Sequence, residues 1–322
     1  MDYVLEKIEP RHAELWGQHT VKLRHTLAGR DMFSDESIAA LIDTVDPAHI
    51  KIETMPDDGY DVRAWSSCER GGLTGMQVLD AVRTGRIWIE LKALEEIDDR
   101  FADVLDSLYR ELESELPFKT FKRKLNLLVS SPNARVFYHF DVPGQTLVQL
   151  RGRKRIWIYP PTAPFLAPES VENTVRSVAT EGLDYQQWFD DYAEVHDMAP
   201  GDLLHWALNG PHRVANHDTL SVSLTTEHWT PQVRRSYAVN YGNGILRSVA
   251  HWRPRSRATN GVAFWAKAAI TAAWRVSGMQ RKQSYQWVPG HRIDPHAPNG
   301  VRPIERAEPV AQDPGPGGGA PD

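Results

Sequence analysis

The chain is poor in cysteine, and this scarcity excludes two kinds of structure. Cys68 is the single cysteine among 322 residues, so no disulfide can form within the chain. A structural zinc site built from several thiolates is excluded for the same reason. One cysteine is typical of proteins that fold in a reducing compartment, and the N-terminal segment lacks the apolar core of a secretory signal. We therefore predict a cytoplasmic location.

Long uncharged hydrophobic runs are also missing. The most apolar stretch, residues 261–279, contains Lys267 and Arg275, and two charges in a stretch of this length argue against a membrane-spanning helix. The stretch predicts an apolar helix whose narrow polar stripe also includes Thr271. We expect this helix to pack in the core or against a second copy of the chain, as a homodimer. Contact with a membrane surface is the less favoured alternative.

Acidic residues are absent between Glu227 and Asp294, although 11 lysines and arginines lie there. The other 26 of the 37 basic residues stand against all 42 acidic residues of the chain. This separation predicts either an anionic partner for the basic region or an interface with the acidic body or a sister chain. An acidic protein segment, an anionic small molecule, a lipid and, least favoured, a nucleic acid remain open as partners. We expect three arginines to stay free for the substrate: Arg253, Arg255 and Arg257.

The hydrophobic periodicity divides the chain into four parts. Residues 1–118 predict a mixed, mostly helical region that packs on a barrel. Residues 119–232 change to short β-rich runs separated by Pro, Gly and Asn, the pattern of a small barrel or jelly roll. Residues 233–306 predict a basic helical region, and the Pro/Gly-rich residues 307–322 predict a disordered tail. The expected fold class is therefore mainly β with α elaborations.

Local signals place the helices of the first part. Ser34 and Thr74 are suited to cap two amphipathic helices, and a long third helix is predicted over residues 94–116, where Pro117 ends it. Within the β-rich part, residues 164–198 form an acidic insert. We expect this insert to act as a lid or as a connection between strands.

The strongest chemical motif is the pair His139 and Asp141 in the β-rich run VFYHFD. Residues i and i+2 of a strand point to the same face, so these two side chains can hold one metal ion together. His212, on a later strand, is the third candidate ligand. Two histidines and one carboxylate form the facial triad that suits Fe(II) and leaves other coordination positions open.

Other histidines near His212 in sequence could take its place as the third ligand. We expect His205, which lies mid-strand beside Trp206, to be a hydrogen-bonded core residue, and His217, which lies in a polar turn, to be solvated. The remaining alternatives are His196 and His228.

Lys154 begins a second β-rich run and shares one strand face with Ile156 and Ile158. A lysine on the apolar face of a buried strand is costly unless it meets an anion. An enzyme that holds a metal and a carboxylate side by side needs such a lysine next to its metal ligands. We therefore predict that residues 136–161 contain the active site.

These segments resemble a known family. HFDVPGQTLVQLRGRKRIWIYPP, followed by PGDLLHWALNGPHRV, is similar to the cupin-8/JmjC group of Fe(II)- and 2-oxoglutarate-dependent oxygenases. In motif spacing, these segments are similar to the asparaginyl hydroxylase of hypoxia-inducible factor and to JmjC-only hydroxylases. The resemblance implies a double-stranded β-helix (cupin/jelly-roll) core flanked by N-terminal and C-terminal helices.

The resemblance also implies roles for individual residues. Lys154, at the family's spacing after Asp141, would bind the distal carboxylate of 2-oxoglutarate, and Gln145 would supply an amide to this cosubstrate. Trp88 stands where relatives often have a tyrosine, and Val136 stands where they carry Thr or Ser. These two departures leave the cosubstrate with fewer neutral hydrogen-bond donors.

The implied function is an enzyme, a 2-oxoglutarate-dependent dioxygenase that uses Fe(II) and O2. Its expected reaction is hydroxylation of a protein side chain or of an anionic small molecule, and demethylation is the same chemistry on an N-methyl carbon. Two other classes stay open. One is a metal-dependent cupin enzyme that does not use 2-oxoglutarate, and the other is a non-catalytic regulator or binding protein that kept the barrel.

Overall fold

The structure, a computed structural model, describes residues 3–57, 60–177, 182–279 and 288–305. The predicted disordered tail, residues 307–322, lies outside these ranges. The α-helices of the described part are α1 (Pro10–Leu15), α2 (Asp35–Thr44), α3 (Gly75–Thr84), α4 (Asp99–Glu115), α5 (Pro168–Val175), α6 (Pro231–Val249) and α7 (Gly261–Val276). Its strands are β1 (Val21–Arg24), β2 (Ile50–Thr54), β3 (Ser66–Glu69), β4 (Ile87–Leu91), β5 (Phe121–Ser130), β6 (Arg135–His139), β7 (Gly144–Arg151), β8 (Lys154–Ile158), β9 (Glu194–Met198), β10 (Asp202–His205), β11 (His212–Asn216), β12 (Ser221–Trp229), β13 (His291–Ile293) and β14 (Val301–Pro303).

The larger of two sheets runs in the order β1-β10-β7-β12-β5-β4-β2-β3-β13-β14. Trp88 of β4 lies opposite Ser130 of β5, so the sheet continues across residue 118, where the sequence predicts a boundary. The N-terminal part therefore contributes strands as well as helices. The division of the chain into four parts remains a prediction.

Strand β5 shows how the larger sheet separates a core from a cavity. Leu125, Leu127 and Val129 are fully buried in the main hydrophobic cluster, together with residues of α2, α3 and α4. Because successive side chains alternate between the two faces of a strand, the intervening Asn126, Leu128 and Ser130 point the other way. These three residues line a cavity.

The smaller sheet has the order β6-β11-β8-β9. A second hydrophobic cluster joins it to the larger sheet, with Ile156 and Val214 on one side and Leu147 and Leu204 on the other. The two sheets therefore face each other. A fold that is rich in strands and also contains helices agrees with the predicted class.

The helix caps predicted from the sequence are confirmed. The Ser34 side chain accepts the Ser37 N–H at the start of α2, and Thr74 forms a capping box with Gln77 at the start of α3. The long third helix is divided: a 3₁₀ turn, Leu94–Glu96, precedes α4. Asp98 interrupts the two because its side chain caps the new helix by accepting the Arg100 N–H.

The C-terminal part packs α6 against α5 and α7. Glu172 of α5 is fully buried and accepts 2.7 Å bonds from Arg247 and Arg257. The expectation that Arg257 is free for a substrate is therefore wrong, because a buried carboxylate of the acidic insert holds it. Arg253 and Arg255 are exposed as expected. The C-terminal region is not wholly helical, since β13 and β14 extend the larger sheet next to β3.

Helix α7 turns its polar stripe inward. Lys267 and Thr271 are buried and donate to backbone carbonyls of Ser256 and Ala238, whereas Val262, Trp265 and Val276 are 88%, 64% and 88% exposed. Phe264 is buried, and Ile270 and Trp274 pack against a hydrophobic cluster that includes Tyr241. The opposite side of the helix, with Val262, Trp265 and Val276, has no cover from the described residues of this chain. Among the described helices, none has the length and hydropathy that a membrane crossing requires.

Candidate metal site and cavity

The structure brings the three predicted metal ligands together. His139 ends β6 and His212 begins β11, and the antiparallel pairing places these two residues opposite each other. Asp141 follows two residues after His139. One ligand atom from each of the three side chains lies within 4.8 Å of the others, and His212 Nε2 is 3.5 Å from Asp141 Oδ2. In the part of the chain that the structure describes, no other group of three potential metal ligands converges in this way.

Backbone carbonyls orient both imidazoles toward the centre of the triad. His139 Nδ1 donates to the Phe137 carbonyl at 2.8 Å, and His212 Nδ1 donates to the Gly210 carbonyl at 3.1 Å. These bonds leave each Nε2 unprotonated in the neutral ring. Metal-binding histidines in proteins are held by the same kind of outer hydrogen bond. The donor set therefore fits a divalent metal.

Burial shapes the electrostatics of the ligands. It lowers the pKa of His212 well below its ordinary value, and the neighbouring His139 lowers it further. Burial also raises the pKa of Asp141, against the opposing effect of His139. Two imidazoles oriented by backbone carbonyls, beside a carboxylate that lacks good solvation, favour binding of a cation at this point.

The alternative histidines lie outside the triad. His205 stacks on Trp16 with ring centroids 3.9 Å apart and donates Nδ1–H to the Gln145 carbonyl at 2.7 Å, so its predicted core role is confirmed. His217 is partly exposed and lies 3.3 Å from Asp197, and His228 contacts Tyr109 in the core.

A cavity of about 270 Å³ lies between the sheets, next to the triad. Lys154 lines it, with 4% of the residue exposed. Among the described residues, Lys154 has no hydrogen-bond or ion-pair partner, and burial without a counter-charge lowers its pKa to about 7. An anion that enters the cavity would stabilise the charged form of this lysine. Trp88, Gln145 and Val136 line the same cavity.

Aromatic rings form one side of the cavity. Trp65 meets both Trp88 and Phe137 edge to face, with centroids 6.0 and 5.1 Å apart. Phe137 in turn lies 5.3 Å from the His139 ring. This row reaches from β4 to the first metal ligand and provides an apolar surface beside it.

The motifs did not reveal the carboxylates of the cavity. Glu53, Glu90 and Glu227 line it from β2, β4 and β12, together with Lys51. Burial raises the pKa of Glu90 to about 7, and burial with the nearby Asp141 raises the pKa of Glu227. The alternation of side chains along a strand, which drew attention to Lys154, could also have drawn attention to Glu90. This residue shares a strand face with Trp88 in RIWIEL.

Comparison with known proteins shows the fold. No protein-family model matches the chain, and no curated protein sequence matches it. A solved structure of Escherichia coli ycfD is 16% identical and is similar over 86% of this chain and 70% of that chain, with a TM-score of 0.50. A second structure, YcfD described as a ribosomal oxygenase from Escherichia coli in complex with cobalt and 2-oxoglutarate, is 15% identical over 86% and 69% of the two chains, with a TM-score of 0.51. The similarity to the asparaginyl hydroxylase of hypoxia-inducible factor stays a prediction from motif spacing.

Proposed function

We propose that this chain is an Fe(II)- and 2-oxoglutarate-dependent oxygenase whose two sheets form a double-stranded β-helix. The observation that carries the proposal is Lys154, a buried lysine in the cavity that also holds the triad. It has no hydrogen-bond or ion-pair partner among the residues that the structure describes. A lysine at this place suits the distal carboxylate of 2-oxoglutarate. The shared fold with a protein solved with cobalt and 2-oxoglutarate supports the proposal.

Four residues would hold the metal and the cosubstrate. His139, Asp141 and His212 would hold Fe(II), and Lys154 would pair with the distal carboxylate of 2-oxoglutarate through a charge-assisted bond. When bound, Fe(II) and the cosubstrate supply the chemistry that places an oxygen atom from O2 on a C–H bond.

Other cavity residues would control access and orientation. Gln145 and Trp88 would line the cosubstrate pocket, as the family resemblance implies. The buried Trp206, which packs on the His212 ring with centroids 4.7 Å apart, fixes that imidazole. Together with Ile156 it would exclude water from a bound metal. We propose hydroxylation of a protein side chain as the reaction, because the aromatic row beside His139 offers an apolar surface for a substrate segment.

We also propose that the chain forms a homodimer through α7. An exposed apolar patch of this kind marks an interaction surface. In a symmetric dimer, the same side of α7 in a second copy would pack against it.

An anaerobic titration tests the function. Addition of 2-oxoglutarate to the Fe(II)-loaded protein should produce a weak visible charge-transfer band, and O2 should then yield succinate when a substrate from fractionated extract is present. Lys154→Met should strongly weaken the band at cosubstrate concentrations that just saturate the original protein. Lys119→Met, which removes a lysine whose side chain is 80% exposed, should leave it unchanged. Absence of the band in the original protein would favour a cupin without 2-oxoglutarate or a binding protein.

A further inference from the structure

A buried charge pair lies behind one of the candidate metal ligands, on the outer face of the smaller sheet. His212 and Arg213 are neighbours in β11. Because successive side chains of a strand point to opposite faces, His212 faces the cavity and Arg213 points away from it. Arg213 is nevertheless only 4% exposed. Asp190, in a 3₁₀ turn of the acidic insert (Gln187–Tyr192), accepts hydrogen bonds from Nε and Nη2 of Arg213. The insert therefore meets β11 directly beside His212.

The guanidinium of Arg213 is fixed from several directions. Its Nε donates to the Tyr159 hydroxyl at 2.9 Å, and its Nη1 donates to the Tyr60 hydroxyl at 2.6 Å. Tyr159 in turn donates to Asp190 at 2.5 Å. The centre of the Trp157 ring, on the paired strand β8, lies 3.6 Å from the guanidinium carbon. A planar guanidinium that is held by a carboxylate, two hydroxyls and a ring has little freedom to move.

The strand ladder is irregular at the same place. His212 of β11 lies opposite His139 of β6, and Val214 lies opposite Val136, so the register shifts between these two pairs, at Arg213. An irregularity of this kind disrupts the ladder locally and changes the direction of nearby side chains. Backbone pairing with β6 therefore does not by itself fix how His212 faces His139. The anchored side chain of Arg213 supplies a further constraint at this point.

The insert also contacts the strand of the other histidine. Gly182 forms an isolated antiparallel bridge with His139, and the Leu183 N–H donates to the Tyr138 carbonyl at 2.9 Å. The insert therefore touches β6 as well as β11, the two strands that carry the histidines of the triad.

We propose that Arg213 and Asp190 are positioning residues for the metal site, which hold His212 in the orientation toward His139 that binding of a divalent cation requires. Both act through the backbone of β11. Loss of the Asp190 carboxylate would leave the buried guanidinium without its counter-charge, which is costly, and β11 should shift to relieve it. This inference rests on the proposed function, because it assumes that His212 is a metal ligand.

Binding of Co(II) to the metal-free protein tests the inference. Chelator competition measures the affinity, and the visible d–d absorption reports the geometry around the bound ion. Asp190→Asn keeps the side-chain shape but removes the charge, and it should weaken Co(II) binding about tenfold and shift the d–d bands. Asp190→Glu keeps the charge and should recover part of the affinity. Asp197→Asn is the matched control, because Asp197 pairs with Arg155 at 2.8 Å on an exposed part of the same sheet, and it should alter neither measurement.

A double substitution separates positioning from stability. Arg213→Met combined with Asp190→Leu replaces the pair by apolar side chains, a change that is often neutral for folding. Denaturant unfolding should therefore show stability close to that of the original protein. Co(II) binding should stay about tenfold weaker, because methionine lacks the hydrogen bonds that fix Arg213.

Two results would overturn the inference alone: the original affinity and d–d bands in Asp190→Asn, or the same in the double variant. Failure of the original protein to bind Co(II) would overturn the ligand assignment, and the positioning role with it. Failure of the inference and failure of the proposed function are therefore distinguishable.

Discussion

His212 Nε2 lies 3.5 Å from Asp141 Oδ2, although the two residues come from different strand ends and are far apart in sequence. The contact joins a neutral imidazole to a carboxylate whose pKa is raised by burial. A divalent cation between them would relieve the poor solvation of the carboxylate. We therefore expect a bound metal to stabilise the contact between these two side chains.

The first prediction concerns the ligands. Replacement of His139, Asp141 or His212 by Ala should weaken metal binding more than ~100-fold, since loss of an outer hydrogen bond alone costs roughly 10- to 100-fold. Competition with a chelator, followed by circular dichroism to verify the fold, measures the effect. His217→Ala is the control, because His217 pairs with Asp197 away from the triad. A His212→Ala protein with the original affinity would disprove this ligand assignment.

The second prediction concerns Asn209, which donates to the Asp141 carbonyl at 2.7 Å. Asn209 has φ +59°, a conformation that glycine adopts without strain. Asn209→Gly removes only the hydrogen bond and should weaken metal binding roughly tenfold. Asn209→Ala should lose the same affinity and also about 1–2 kcal/mol of unfolding free energy from backbone strain. Parallel chelator titrations and denaturant melts separate the two effects, and metal affinity equal to the original in both variants would contradict the role.

The sequence was sufficient to predict Lys154 and the pair His139 and Asp141, because alternation along a strand decides which side chains share a face. His212 begins a different strand, β11, and was a candidate because of its place in a later β-rich segment. The sequence also predicted the caps at Ser34 and Thr74, which depend on local hydrogen bonds. The pairing of β2 with β4, and of β13 with β3, joins segments that are distant in sequence. Local patterns carry no information about such partners, and for this reason the larger sheet was not foreseen.

The orientation of α7 and the carboxylates of the cavity also depend on tertiary contacts that local sequence patterns do not reveal. Composition indicates an apolar helix, but it does not say which side the rest of the protein covers. Glu90 and Glu227 belong to separate strands, and the position of β5 between β4 and β12 brings them to one cavity. A charge on the cavity-facing side of a strand was the available signal, and it was applied only to Lys154.

The third prediction is that 2-oxoglutarate binding takes up a proton above neutral pH. Burial lowers the pKa of Lys154 to about 7 in the free protein, so at pH 8.5 the side chain is mostly neutral. A bound carboxylate favours the charged form and raises this pKa, and the complex therefore gains a proton. Below about pH 6 the lysine is already charged and uptake should vanish. Affinity should fall about tenfold per pH unit above pH 7.

Calorimetry in buffers of different ionisation enthalpy measures the protons taken up by the metal-loaded protein. Lys154→Met should take up none and should bind 2-oxoglutarate about 30- to 1000-fold more weakly, the equivalent of roughly 2–4 kcal/mol. Lys119→Met is the matched control. Equal uptake in the Lys154 variant would show that another group titrates.

The fourth prediction concerns the exposed side of α7. If a second copy covers it, the double substitution Val262→Ser and Trp265→Ser should convert a dimer into a monomer, as measured by light scattering after size-exclusion chromatography. Trp252→Ser is the control, because Trp252 is equally exposed (62%) but lies outside the helix. Point variants are preferable to deletion of the C-terminal region, which would remove Arg257 from the buried Glu172.

Added salt should leave the dimer intact, since apolar burial drives its formation, whereas a contact between the basic region and an anionic surface would weaken steeply. A monomeric original protein, or a dimer that survives the double substitution, would contradict the assignment of α7 as the interface.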